Sequence, residues 1–337
     1  MRKLKDFKLA SHTSLRVGGL AKTVCAIQTP SDIQDFVHEY GNDDFFVLGK
    51  GSNIVAPDHE INTPIALMQI VNSTARAETD FVEMIVGAGT SWDEFVADCV
   101  DQGLSGVETL SGIPGTVGAC PIQNIGAYGS EVKNVITSIQ LIDGATGKSR
   151  SLTNSDLNFS YRFSLLKNMQ SRFIIESVTF KLQKNKDSNI THYPQVAEAL
   201  GIQAGQSVPI KKLRQTIIEI RKSKGMILSD SDHDTWSVGS FFINPIMNPD
   251  QVPAGAPVYE HESGKVKTSA AWLIEEAGFH KGFRHGGAMI STKHTLAICN
   301  SGNATASDIV ELSNLILSGV NEKFGISLFI EPKILNI

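Results

Sequence analysis

Short β-branched and aromatic runs that alternate with capped amphipathic stretches predict an α+β protein of more than one domain. The length agrees: 337 residues exceed the size at which a single core stops growing, so two or three domains are expected. Hydrophobic residues make up 41% and charged residues 19%, the proportions of a globular chain rather than a disordered one. With a net charge of −5, no basic balance argues for a nucleic-acid partner or an anionic membrane surface. No apolar run reaches membrane-spanning length, and the basic N-terminus MRKLKDFKLASHTSL lacks the apolar core of a signal peptide.

The elements follow in order. Ser31 can cap a helix whose Ile33, Phe36, Val37 and Tyr40 recur at i, i+3, i+4, i+7, with Gln34 closing a capping box and Gly41 ending it. A short apolar strand, Phe45 to Leu48, runs straight into GKGSN. A strand from Phe81 to Val86 precedes a second helix, boxed by Ser91 and Glu94, striped by Trp92, Phe95, Val96 and Cys99, and stopped by Gly103. Strands around Val135 to Ile142 and Phe173 to Leu182 are rich in β-branched and aromatic residues. The polar run KNKDSN, Lys184 to Asn189, reads as a linker or excursion. A helix from about Pro209 to Arg221 carries Ile210, Leu213, Ile217 and Ile220 on one face. Helices near Ala270 to Ala277 and Ser307 to Phe324 frame a further α/β unit, and a strand from Ile326 to Ile330 leads into Glu331-Pro332.

Metal chemistry finds little support. Cys25, Cys99, Cys120 and Cys299 are scattered without CxxC spacing, which suits a reducing compartment rather than a disulfide or zinc scaffold. In DSDHDTWSVGSF, Asp230, Asp232 and Asp234 imitate the start of a calcium loop. Thr235 stands where that loop needs Gly and Phe241 where it needs a bidentate Glu, so the three aspartates are expected in a solvated turn.

The glycines are more informative. GKGSN, Gly49 to Asn53, lies directly after a strand, where glycine backbone can form an anion-binding nest. A tight turn uses the same residues, so this segment is not specific by itself. Asp44 stands where a P-loop has its first Gly, and no GxGxxG occupies a strand-to-helix turn. The second stretch, IPGTVGACPIQNIGAYGSE, has no charged side chain before Glu131. A long surface loop should carry Lys, Asp or Glu, whereas a main-chain cradle need not. Two such segments, each following a strand unit, would suit a dinucleotide extended between two subdomains.

HTSLRVGG, LGKGSNIV, SGIPGTVGACPIQNIGAYGSEV, SYRFS, VGSFFINP, SAAWLIEEAG and the late Glu-Pro together resemble the UDP-N-acetylenolpyruvoylglucosamine reductases, in the same order and over essentially the whole chain. The resemblance implies the two-subdomain FAD-binding fold of the vanillyl-alcohol-oxidase superfamily plus a C-terminal α/β substrate-binding domain. The implied boundaries are 1–66 for the first FAD subdomain, joined by 326–337, then 67–205 for the second, and 206–325 for substrate. It also implies non-covalent FAD, NADPH as hydride donor, and UDP-N-acetylglucosamine enolpyruvate reduced to the peptidoglycan precursor UDP-N-acetylmuramate in a bacterial cytoplasm. No oligomer is implied.

Carried over residue by residue, the resemblance makes Arg162, Ser240 and Glu331 the catalytic set. Arg162 with Glu331 would stabilise enolate charge on the substrate, and Ser240 would donate the proton to carbon. Cofactor contacts fall on Gly49, Lys50, Gly51, Ser52, Asn53, Pro114, Gly115, Gly118, Asn124, Gly126 and Ala127. Substrate contacts fall on Tyr128, Tyr193, Arg221, Lys224 and Asn244, with Tyr193 in THYPQ as the tyrosine of a mobile loop. The family's frequent GSFFKNP reads GSFFINP here, so Ile243 removes one cation. Two other readings compete: an oxidase of the same superfamily, with Cys120 as the one thiol in the cradle able to tether flavin, and a nucleotide-sugar-binding protein without activity. Retention of Arg162, Ser240 and Glu331 argues against the second.

Overall fold

The computed structural model describes residues 1–169, 172–188, 192–261 and 264–335. The chain forms two compact units, one of Met1–Phe7, Ala21–Lys50 and Asn62–Lys222, the other of Lys8–Leu20, Gly51–Ile61 and Ser223–Ile337. A crossing between them falls at Lys50/Gly51, inside GKGSN.

Two larger sheets and a small hairpin lie among the described residues of the first unit. One orders Arg2–Leu4, Val24–Ile27, Ile65–Met68 and Phe46–Leu48, with the last three parallel. Helix α1, Pro30–Tyr40, buries Ile33, Phe36 and Val37. Its N-cap is Thr29 rather than the expected Ser31: the Thr29 hydroxyl accepts from Asp32 N–H, and Asp32 closes the capping box. Pro30 causes the shift, because its fixed φ and missing N–H suit the first helical position and place the cap one residue before it.

The other sheet is antiparallel, in the order Ser149–Thr153, Ile136–Asp143, Phe173–Lys184, Phe81–Gly87 and Ser73–Ala77. Helix α2, Trp92–Asp101, buries Trp92, Phe95, Val96, Cys99 and Val100. Trp92 and Phe95 pack on Phe180 of the long central strand, with ring centroids 6.0 Å and 4.8 Å apart. The Ser91 side chain makes no capping bond, so the expected Ser91–Glu94 box does not form. The run Lys184–Ser188 is pinned rather than free: Ile210 N–H donates to Lys186 O at 2.9 Å, and Ser188 N–H donates to Val208 O at 2.8 Å. Asn189 lies outside the described residues. Helices α3, Pro194–Leu200, and α4, Ile210–Ser223, share a small apolar cluster of Val196, Leu200, Leu213, Ile217 and Ile220.

In the second unit, Arg284–His285, Ala288–Ile290 and Ile298–Asn300 form an antiparallel sheet. Its core gathers Leu273 and Ile274 of α5, Ala270–Glu276, with Ile309, Leu312, Ile316 and Val320 of α6, Ala306–Phe324. Thr305 caps α6 in a box with Asp308. The C-terminal strand is shorter than expected, Phe329–Ile330 rather than Ile326 to Ile330, paired with Phe242–Ile243. Pro332 supplies no N–H to extend that ladder. After it, Lys333–Ile334 pairs in parallel with Ile54–Val55. The expected solvated turn is corrected at Asp234, which is buried and accepts from Thr292 N–H at 2.9 Å and Thr292 Oγ1 at 2.7 Å. A buried carboxylate persists where such donors satisfy it.

Candidate functional site

Two glycine segments meet within the first unit. A Cβ on Gly49 would stand 2.7 Å from Thr116 Oγ1, so only glycine admits this approach of the first loop to the second. Beside it Lys50 Nζ donates to Ser91 Oγ at 2.7 Å, which is where the missing helix cap went. Trp92 N–H donates to Gly115 O at 3.1 Å, and Val117 N–H to Thr90 O at 2.9 Å. This is the non-hydrogen-bonded bridge Ser91↔Thr116, in which the N–H and C=O of the bridged residues point away from each other. Gly115 has φ +128°, closed to ordinary L residues. The buried Thr90 hydroxyl has no hydrogen-bond partner among the described residues. Outward-facing main chain, a lysine ammonium and an unsatisfied buried hydroxyl in one place fit a polar, anionic dinucleotide.

Other glycines serve the protein itself. A Cβ on Gly118 would lie 2.5 Å from Ala88 Cβ, and one on Gly51, at φ +59°, 2.2 Å from His12 O. Gly126 pairs with Glu131, and Ala127 with Ser130, in a small hairpin. Pro114 is exposed; Ser52 and Asn53 are half-buried in the second unit, where Asn53 O accepts from Lys333 N–H at 3.0 Å.

Arg162 sits in a tight turn, φ +54°, in which Ser160 and Phe163 exchange main-chain bonds of 3.0 Å and 3.1 Å. For a non-glycine residue this conformation costs roughly 1–3 kcal/mol, so its surroundings must enforce it. They do so at three points. Arg162 Nη2 donates to Gly126 O at 2.8 Å, Asn124 Nδ2 to Ser160 O at 3.0 Å, and Ser164 Oγ to Ile122 O at 2.7 Å. Asn124 is fully buried; its Nδ2 also donates to Glu131 Oε2 at 2.9 Å, and its Oδ1 accepts from Lys133 N–H at 3.1 Å. Its amide is thus committed to holding the turn, and its main-chain N–H donates to Pro121 O at 3.4 Å.

The expected substrate residues of this unit also converge. Tyr128, φ +51°, stands edge-on to Tyr193 with ring centroids 5.4 Å apart. Burial raises the Tyr128 phenol pKa, the nearby Arg221 charge opposes the rise, and the neighbouring Tyr193 adds to it. Burial likewise lowers the Arg221 guanidinium, with Tyr128 as the leading counterweight. Tyr193 opens α3 and is exposed; Thr191 of THYPQ lies outside the described residues.

In the second unit, Ser240 and Glu331 come from distant stretches. Phe242 pairs with Ile330, and Glu331 N–H donates to Phe241 O at 2.9 Å, which sets Glu331 one position from Ser240 along the ladder. Phe241 and Phe242 are fully buried, whereas Ser240 is half-buried beside Gly239, whose φ of +76° faces open space. Asn244 Oδ1 accepts from Ala270 N–H at 2.9 Å at the start of α5, and Lys224 is half-buried just after α4. Ile243 is half-buried. Cys120 is buried and burial pushes its thiol well up, so it is an inert core thiol in this fold. Among the described residues no cluster of His, Cys, Asp or Glu is arranged to hold a metal, and no helix is long and apolar enough to cross a membrane.

Sequence reasoning overlooked Thr90, Thr116, Asp93 and Arg214, and read Ser91 only as a helix cap. Only Thr116 carried a signal, lying inside IPGTVG; the partners of the others are set by long-range contacts.

The fold and the paired glycine loops define a flavoprotein class: residues 21–153 match the FAD binding domain, and residues 231–335 match the C-terminal domain of UDP-N-acetylenolpyruvoylglucosamine reductase. This is the α+β architecture expected from sequence, an FAD-binding domain followed by a further C-terminal domain. The chain is 40% identical to the UDP-N-acetylenolpyruvoylglucosamine reductase of Thermobifida fusca, over 99% of this chain and 98% of that one. It is 40% identical to that of Streptomyces coelicolor, over 98% and 90%. The crystal structure of the corresponding enzyme from Thermus caldophilus matches with a TM-score of 0.70 at 26% identity, covering 99% of both chains. The chain belongs to the UDP-N-acetylenolpyruvoylglucosamine reductase family.

Proposed function

We propose that this protein reduces the enolpyruvyl ether of UDP-N-acetylglucosamine enolpyruvate to UDP-N-acetylmuramate, with non-covalent FAD and NADPH, in peptidoglycan precursor synthesis. The observation that carries the proposal is the meeting of Gly49–Lys50 with Ser91 and Gly115–Thr116, a cradle suited to the pyrophosphate and flavin of FAD. When bound, FAD would supply hydride-transfer chemistry between NADPH and the enolpyruvyl group. Every other part belongs to the chain. Subdomains 1–66 and 67–205 would hold the cofactor, and 206–325 the substrate.

Main chain at Gly49–Asn53 and Pro114–Ala127 cradles the cofactor, with Lys50 as countercharge and Gly118, Asn124 and Gly126 shaping the segment. Tyr128, Tyr193, Arg221, Lys224 and Asn244 are the residues proposed to contact the nucleotide sugar. Arg162 supports the negative charge that grows on the substrate carboxylate side, and its strained turn fixes the guanidinium before reaction, so no reorganisation is required at the barrier. Glu331 would orient that charge pattern. Ser240 donates its hydroxyl proton to the substrate carbon, a task its half-buried place beside buried Phe241 and Phe242 favours by limiting water.

The test is the visible spectrum. The purified protein should be yellow, bleach with NADPH, and recolour on adding the enolpyruvyl nucleotide. Ser240→Ala should bleach normally and recolour at least ~10²-fold more slowly, the range for a lost general acid. Normal recolouring of that variant would remove Ser240 as the acid, and a colourless protein would remove the whole reading.

A further inference from the structure

We propose that Asp93 and Arg214 are a positioning pair that ties the substrate-binding helix α4 to the glycine-rich segment, and so sets where Arg221 stands. The proposal rests on the reading of Arg221 and Tyr128 as nucleotide-sugar contacts. Asp93 lies in the first turn of α2. Its Oδ1 accepts from Gly112 N–H at 2.5 Å and from Arg214 Nη1 at 2.6 Å, and its Oδ2 accepts from Arg214 Nη2 at 3.0 Å. A two-pronged guanidinium–carboxylate pair fixes direction as well as distance, which a lysine at the same place does not. Burial works against the Asp93 charge, yet hydrogen bonds from Arg214 and from the Gly112 main chain hold its carboxyl below the usual range. The carboxylate is therefore the working form at neutral pH.

Arg214 and Arg221 are seven residues apart on α4, about two turns, so they share a face. Tyr128, at the far end of the glycine-rich segment, packs against the apolar cluster of α4 and lies close enough to Arg221 for the guanidinium and the phenol to interact electrostatically. The helix is thus tied to that segment twice: near its start by Asp93–Arg214 at Gly112, and near its end by Arg221 at Tyr128. Gly112 itself has φ +72°, and its N–H points to Asp93 rather than to a ligand. Loss of the first tie leaves α4 held by its apolar cluster, by the Ile210–Lys186 and Lys211–Asp101 contacts at its start and by Arg221, and Arg221 then shifts relative to Tyr128. Neither Asp93 nor Arg214 needs to touch cofactor or substrate.

The experiment compares Arg214→Met, Arg214→Lys and Asp93→Asn in the FAD-loaded protein. Residues coupled through one network show non-additive effects of a few-fold to about a hundredfold. Arg214→Met should raise KM for the enolpyruvyl nucleotide about tenfold, with the rate of bleaching by NADPH unchanged. Arg214→Lys should fall between, because it keeps charge but not the fork. In the double variant Arg214→Met/Tyr128→Phe the rise in KM should be smaller than the product of the two single effects, since both act on Arg221. Full additivity, an unchanged KM, or equal losses in both half-reactions would overturn the pair's positioning role. Where Arg214→Met does not fold, Arg214→Lys decides by the same measurements. If the unsubstituted protein does not recolour with the enolpyruvyl nucleotide, the substrate reading fails on its own. Binding of UDP by calorimetry then still tests the tie: weaker binding in Arg214→Lys supports it, and unchanged binding overturns it.

Discussion

Replacing Gly126 by Ala separates a cofactor contact from a device that holds Arg162. The new Cβ would stand 2.8 Å from Ser130 O, 3.0 Å from Glu131 Cγ and 3.3 Å from Arg162 Nη1. The nearest of these is main chain across the hairpin, so the strands must part rather than a flexible side chain swing away. Forcing a methyl into such a place costs roughly 1–3 kcal/mol of stability. The same movement strains the 2.8 Å bond from Arg162 Nη2 to Gly126 O. A hydrogen bond from a charged donor contributes about 1.5–3 kcal/mol. If that orientation is needed at the barrier, the rate of recolouring by substrate falls about tenfold to a hundredfold, at about 1.4 kcal/mol per factor of ten. Bleaching by NADPH should be unchanged and FAD content close to that of the unsubstituted protein, because the methyl meets the protein's own atoms. Rapid-mixing absorbance of the flavin reads both steps, and the ratio of flavin to protein absorbance reads occupancy. Loss of FAD with an undiminished rate in the remaining holoprotein would refute this reasoning and return Gly126 to direct contact with the cofactor.

Three further outcomes are expected. Tyr193→Phe keeps the edge-on ring against Tyr128 but removes the hydroxyl, so apparent substrate affinity should fall while NADPH-driven bleaching stays normal; equal losses in both steps count against a role after substrate entry. Asp93 has a lowered folded pKa, so its contribution to stability is complete above the unfolded value of about 4 and disappears as pH falls through the lower folded value. Urea unfolding between acid and neutral pH should show Asp93→Asn flattening the acid limb, and an unchanged slope would contradict the pairing. Acid precipitation should release all flavin to the supernatant, since the Cys120 thiol is buried and kept protonated; flavin in the pellet would point to a covalent tether.

Local pattern was enough to identify most elements. The stripes of α2 and α4 bury the residues their spacing indicated, and that of α1 does so except for half-buried Tyr40, because helical periodicity depends on neighbours a turn away. The motifs from HTSLRVGG to the late Glu-Pro were likewise legible in order, and they marked the family. Caps were less so: Pro30 moved the first to Thr29, and Lys50, distant in sequence, claimed the Ser91 hydroxyl. What fills the space of a missing Cβ could not be read from composition at all. Glycine permits a cofactor or the protein's own chain to come close, and Gly49, Gly118 and Gly126 face Thr116, Ala88 and the Ser130 carbonyl. The same holds for polar groups, whose type shows that a partner is required but not which one. Asn124 turned inward to hold the Arg162 turn, and Asp93 found both Gly112 and Arg214. Those pairings join residues far apart along the chain, so only closure of the tertiary fold could select them.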